Sequence, residues 1–174
     1  HADFLPPGRG MGSILPEALK AAGAVGVMLN HAECKLTLDV IEKTIRRADE
    51  AGLATIVCAD TIAEMEAIAR MAPNLIVAEP TELIGTGQTS SMDYVRESIT
   101  RIKAINPAIM VLQGAGISNG DDVYKVIRAG AEATGSTSGI IKAPDPAAMA
   151  REMIAAVRRA WDERQAEEAT TAQT

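Results

Sequence analysis

Ala21-Ala22-Gly23-Ala24-Val25-Gly26-Val27-Met28-Leu29-Asn30 reads as the end of a helix, a glycine stop and a short buried strand. Glycine takes the left-handed conformation that closes a helix at little steric cost. The joint recurs at Glu50-Ala51-Gly52 before Leu53 to Ala59, and at Arg128-Ala129-Gly130 before Ala131. Working outward from these joints, strands are predicted at 25-30, 54-59, 75-79, 109-113 and 131-137. Helices are predicted near 14-22, 36-51, 61-71, 92-105, 120-129 and 145-163. Successive strands start about 20 to 35 residues apart, the spacing of strand-helix-strand units. Each helical crossover returns the chain in the same direction, so the expected fold is α/β with a parallel sheet.

Helix starts agree with this division. Thr61-Ile62-Ala63-Glu64 has the pattern of a capping box, and Asn119 precedes Asp121 and Asp122, whose charges suit a helix N-terminus. The domain is expected over 1-163, followed by a polar tail over 164-174 whose Glu, Gln, Ala and Thr content predicts disorder.

A chain of 174 residues is long enough to bury about two-thirds of its unfolded surface around one core. The hydrophobic fraction is 47% but aromatics are only 2%, so Ala, Val, Ile, Leu and Met must build that core. Such a composition suits packed helices and buried parallel strands rather than a β-sandwich. The net charge of −6 offers no long-range attraction to nucleic acid or anionic lipid, so neither is expected as a partner. Cys34 and Cys58 form no C-x-x-C arrangement and the chain has two histidines, so no metal set is expected and a reducing, cytoplasmic setting is. No apolar run reaches the roughly 18 residues of a membrane span. The first residues, His1-Ala2-Asp3, read as the end of a strand without an initiator Met, which suggests a truncated chain.

Parallel α/β folds bind ligands at the carboxyl ends of their strands. After the strand at 25-30 comes Asn30-His31-Ala32-Glu33, an imidazole and a carboxylate that are either functional or a surface loop. The strand Leu75-Ile76-Val77-Ala78-Glu79 is apolar until its final carboxylate. Desolvation should raise that pKa toward the range useful to a general base, unless Glu79 is a salt-bridged structural residue. The segment from Thr81 to Ser91 is longer than the usual βα loop of about 2 to 6 residues, and is either a mobile lid or a flexible surface loop. Gly114-Ala115-Gly116-Ile117-Ser118-Asn119-Gly120 can present backbone N–H groups ahead of a helix, and Thr137-Ser138-Gly139 is a second small-residue turn. Two adjacent strands ending this way match the phosphate site at the last two strands of (β/α)8 barrels.

Taken in order, Asn30-His31-Ala32-Glu33, the Cys58 strand, Val77-Ala78-Glu79-Pro80, Glu82-Leu83-Ile84-Gly85-Thr86-Gly87, Gly114-Ala115-Gly116-Ile117-Ser118 and Thr137-Ser138-Gly139 resemble the shorter, archaeal branch of the triosephosphate isomerase family. The resemblance implies a parallel (β/α)8 barrel, of which about five of eight strand-helix units are present. It implies that family's general chemistry: cofactor-free interconversion of dihydroxyacetone phosphate and glyceraldehyde 3-phosphate through an enediolate. Glu79 would be the base and His31 the neutral electrophile. Residues 80-87 would form a lid, with Ile84 and Gly85 at the substrate phosphate and further contacts from Gly116, Thr137 and Ser138. Asn30 and Glu33 would support the site. Residues 5-13 correspond to the loop through which family members pair, implying a homo-oligomer, dimer or tetramer.

Departures from the family are also legible. Ala32 stands where Ser is common, and Cys34-Lys35 where a basic pair is common. The stretch Ala133-Thr134-Gly135-Ser136 is polar and weak in strand propensity. The family's Asn-x-Lys phosphate motif does not occur in these residues, and His1-Ala2-Asp3 resembles the end of the third barrel strand. The 174 residues alone are therefore expected to be inactive. The other readings are an isomerase of another short ketose phosphate, such as a tetrulose phosphate, and a non-catalytic phosphate-binding fragment.

Overall fold

The computed structural model describes residues 1–83 and 90–171. In chain order its elements are α1 (Pro16–Ala21), β1 (Gly26–Leu29), α2 (Leu38–Glu50), β2 (Ala54–Ala59), α3 (Ile62–Ala69), β3 (Leu75–Ala78), a 3-10 turn (Thr81–Leu83), α4 (Met92–Ile105), β4 (Met110–Gln113), α5 (Gly120–Arg128), β5 (Ala133–Thr134), α6 (Ser138–Ile141) and α7 (Pro146–Thr171). Gly23, Gly52 and Gly130, which close helices ahead of strands, have φ of +95°, +70° and +114°.

All five strands are parallel and lie in sequence order in one sheet. A doubly wound sheet reverses its order at a switch point, whereas here each strand adds to the same side, as in the wall of a (β/α)8 barrel. The arrangement gathers every strand's carboxyl end on one rim.

The two sheet faces differ in their cover. On one, Leu29, Val57, Ile76 and Val111 are fully buried against Ile41 and Ile45 of α2, Met65 and Ile68 of α3 and Ile102 of α4. Each such side chain contributes roughly 1.5–3 kcal/mol. On the other face Cys58, Leu75 and Val77 pack with Ile56 and Leu112, while Met28 and Met110 remain nearly half exposed. A further cluster joins Val95 of α4, Val123, Val126 and Ile127 of α5 and Met153, Ala156 and Ala160 of α7.

Three elements differ from expectation. The last strand is two residues long rather than spanning 131-137. Its N-terminal side is taken by the α5 terminus, where the Ala131 amide donates to Val126 O, and its C-terminal side by the polar Gly135-Ser136 pair. Thr137-Ser138-Gly139 opens α6 instead of forming a free turn. Helix α7 continues to Thr171, past the predicted end at 163. Its charged residues have partners on α5 and just after it: Glu163 accepts from the Tyr124 hydroxyl, Glu167 from Arg128, and Arg164 donates to the carbonyls of Ile127 and Ala131.

At the joint between α3 and β3 an alanine does what glycine does elsewhere: Ala72 has φ +55° and is exposed. The left-handed conformation costs a non-glycine residue roughly 1–2 kcal/mol. Ala72→Gly is therefore expected to stabilise the fold by about 1 kcal/mol after the added unfolded-state entropy of glycine is offset, read as a higher urea midpoint at unchanged slope.

Candidate active site

Glu79 follows β3 on the strand-end rim, with its amide donating to Ala59 O at 3.0 Å. Its carboxylate is half-buried and lies over Gly114, where an added Cβ would sit 3.1 Å from Oε1 and 3.2 Å from Val77 Cγ1. Glycine at 114 is thus what leaves room for the carboxylate. Burial pushes the Glu79 carboxyl above its ordinary value, and His31 and Lys35 are the groups that oppose the rise. Both basic groups therefore lie within electrostatic reach of it. Between the two site strands, the Cys58 thiol of β2 is pushed up to about 12, first by burial and then by the Glu79 charge.

The turn carrying His31 is fixed by its neighbour. Asn30, in the left-handed region at φ +58°, is fully buried. Its amide donates to Cys58 O at 2.8 Å and Glu64 Oε1 at 2.9 Å, while Oδ1 accepts the Leu36 amide at 2.9 Å. The His31 carbonyl accepts the Cys34 amide at 2.8 Å, and its Nδ1 accepts the Glu33 amide at 3.3 Å. A neutral imidazole accepting at Nδ1 carries its proton on Nε2, as a donor. The Glu33 carboxylate is 3.9 Å from Nδ1 and its side chain is 90% exposed, so it contributes little to the site's electrostatics.

Glu64, on α3, ties these parts together. Besides Asn30 it accepts the Asp60 amide at 2.7 Å, and its own amide donates to Thr61 Oγ1 at 3.2 Å. Asp60 in turn accepts the Thr81 amide at 2.8 Å, just beyond Glu79, and its carbonyl accepts the Tyr94 hydroxyl at 3.1 Å. Sequence reading missed Glu64, Asp60, Lys35 and the contact role of Gly114. The capping-box spacing Thr61-x-x-Glu64 was the one visible signal.

The two small-residue turns are adjacent. Ser118 Oγ donates to Gly116 O at 3.0 Å, while Ser136 Oγ donates to Ile117 O and accepts the Gly139 amide at 3.2 Å. A Cβ on Gly139 would stand 2.8 Å from Ile117 O and 2.9 Å from Ser118 Cα, so the backbones pass in close contact. Gly116 thus lies beside the Thr137-Ser138 start of α6, where backbone donors and hydroxyls can meet an anion. Ile84 and Gly85, and the rest of 84–89, lie outside the described residues. Among the described residues, no group of three or more His, Cys, Asp or Glu is placed to hold a metal.

The raised Glu79 pKa sets a stability prediction. The unfolded carboxyl ionises first as pH rises, so the native state loses relative stability from the unfolded pKa up through the higher folded pKa. Glu79→Gln removes that loss. The variant is expected to resist urea better than the parent at pH 7, and the difference should fade as pH falls through the folded pKa toward the ordinary carboxyl value.

The fold and site define a wall of a (β/α)8 barrel carrying a partly desolvated carboxylate and an imidazole at its strand ends. The family model for triosephosphate isomerase matches residues 1–153. The triosephosphate isomerase of Methanobacterium bryantii is 44% identical over 84% of this chain and 66% of its own length. That of Sulfurisphaera tokodaii is 38% identical over 93% of this chain and 72% of its own. Among solved structures, the triosephosphate isomerase of Bartonella henselae superposes with a TM-score of 0.61 at 18% identity, over 76% of this chain and 65% of that one. The chain belongs to the triosephosphate isomerase family, and it spans about two-thirds of the length of the curated relatives it matches.

Proposed function

We propose that the complete protein interconverts dihydroxyacetone phosphate and D-glyceraldehyde 3-phosphate, with Glu79 as the base. The observation that carries this reading is the Glu79 carboxylate, seated against Gly114 on the strand-end rim, with its pKa raised by burial and with His31 and Lys35 within electrostatic reach. A carboxylate made more basic by desolvation can take a proton from the carbon beside a carbonyl. It can return that proton to the neighbouring carbon, so the enzyme ends unchanged and needs no cofactor. His31, with Nδ1 occupied by the Glu33 amide, offers Nε2–H to the oxygens on which enediolate charge develops. Gly116 and the adjoining Thr137-Ser138 start of α6 supply backbone donors for the phosphate.

The test is a coupled assay for glyceraldehyde 3-phosphate on the complete protein. Glu79→Gln is expected to lower kcat by roughly 10²–10⁴-fold. Gly114→Ala, which crowds Oε1 without altering its chemistry, is expected to lower kcat about ten- to hundredfold with KM little changed. Full activity in Glu79→Gln would overturn the assignment.

The same reading places the protein in the cytoplasm and pairs its copies through residues 5-13, where Met11 is fully exposed. No helix among the described residues is long and apolar enough to cross a membrane. Met11→Glu is expected to shift the complete protein toward monomer in sedimentation, since a charge at an apolar contact is costly to desolvate.

A further inference from the structure

The Cys34 thiol is exposed and belongs to a three-residue relay outside the chemistry assigned to Glu79. Its Sγ lies 3.7 Å from His1 Nδ1, and the opposite ring nitrogen, His1 Nε2, lies 3.1 Å from Asp3 Oδ1. Asp3 is itself fixed: its Oδ2 accepts the Ile14 amide at 2.7 Å, and its own amide donates to Ile14 O at 3.0 Å. Between them Ala2 is buried in the core. With Asp3 accepting the Nε2 proton, Nδ1 is left as an acceptor aimed at the thiol. Thiol, imidazole and carboxylate in this order are the arrangement that generates a thiolate nucleophile.

We propose that Cys34 is a thiolation site, activated by His1 and Asp3, that takes a low-molecular-weight disulfide. Nδ1 of His1 receives the thiol proton, and the Asp3 carboxylate holds the resulting imidazolium. The Cys34 thiolate attacks one sulfur of the disulfide, forming a new S–S bond as the old one breaks. The departing thiolate takes the proton from His1 and leaves as a free thiol, so no other oxidant is required. The adduct hangs on the turn that carries His31, whose carbonyl accepts the Cys34 amide. Cys58, buried and with its thiol pushed up to about 12, does not compete. The inference rests on residues 1, 3 and 34 and is independent of the isomerase reading.

The experiment follows modification of the complete protein by the neutral disulfide dithiodipyridine at pH 7, with the modified residue located by peptide mapping. A peptide of residues 30–38 serves as reference, holding every sequence neighbour of Cys34 but neither His1 nor Asp3. Expected is an adduct at Cys34, formed about tenfold faster than on the peptide. His1→Gln should return the rate at Cys34 to that of the peptide, Asp3→Asn should slow it several-fold, and Cys34→Ser should remove the adduct from the peptide that carries position 34. Among the described residues His1 Nε2 and Nδ1 bond Asp3 and the thiol alone, and a circular dichroism spectrum matching the parent secures the fold of His1→Gln. A parent rate no faster than the peptide, or an unchanged rate in His1→Gln, would overturn the proposal whatever the isomerase assay shows.

Discussion

The buried amide of Asn30 is the polar contact on which the arrangement of the site depends. It reaches the carbonyl end of β2, the Glu64 carboxylate at the start of α3 and the amide of Leu36 at the far side of the His31 turn. Each of those groups is near apolar packing, where an unmet donor or acceptor costs about 1–3 kcal/mol. The amide therefore ties the path of the His31 turn to the same strand end that Glu79 binds through its own amide. Two catalytic candidates from strands that are not neighbours are held in one frame by the strand between them.

That frame supports an unfavourable element. A carboxylate at the end of an all-apolar strand opposes folding in its ionised form, yet the desolvation that makes it costly also makes it basic. Gly114 shows the same exchange from the packing side. A side chain there would fill space beside Val77, and its absence leaves that space to the Glu79 oxygen. The apolar cluster under α2, α3 and α4 supplies the stability against which these local costs are set.

The repeated helix-glycine-strand joint made the parallel fold legible, because a glycine needed at positive φ is a backbone requirement written in one letter. The joint at Ala72 escaped that reading since alanine carries no such signal while adopting the same conformation. Glu79 and His31 stand out as candidates because strand ends are privileged positions and their side chains break apolar or small-residue runs. Glu64, Asp60 and Lys35 do not, because their roles come from tertiary partners, and an isolated acidic or basic residue on a charged chain has no distinguishing pattern. Helix α7 beyond residue 163 was not legible for the same reason: its Glu and Arg content resembles a solvated tail until α5 supplies Tyr124, Arg128 and the Ile127 carbonyl, and Ala131 beyond it a second carbonyl.

The proposed reaction asks an acidic chain to bind an anion, which the local charges at the strand ends must allow. Many carboxylates sit on the outer helices in ion pairs, such as Glu163 and Glu167 with Arg128, Asp162 with Arg158 and Asp39 with Lys43. At physiological salt such charges are screened beyond about 8 Å. On the proposed function, what an anion meets at the strand-end rim is set locally, by His31, Lys35 and the backbone at Gly116 and the start of α6. Among the carboxylates near that rim, Glu79 is the one whose desolvation favours the protonated form, in which its repulsion of an anion disappears. An anion that arrives and excludes water further would raise the same pKa again, so binding and basicity reinforce each other through the one buried carboxylate.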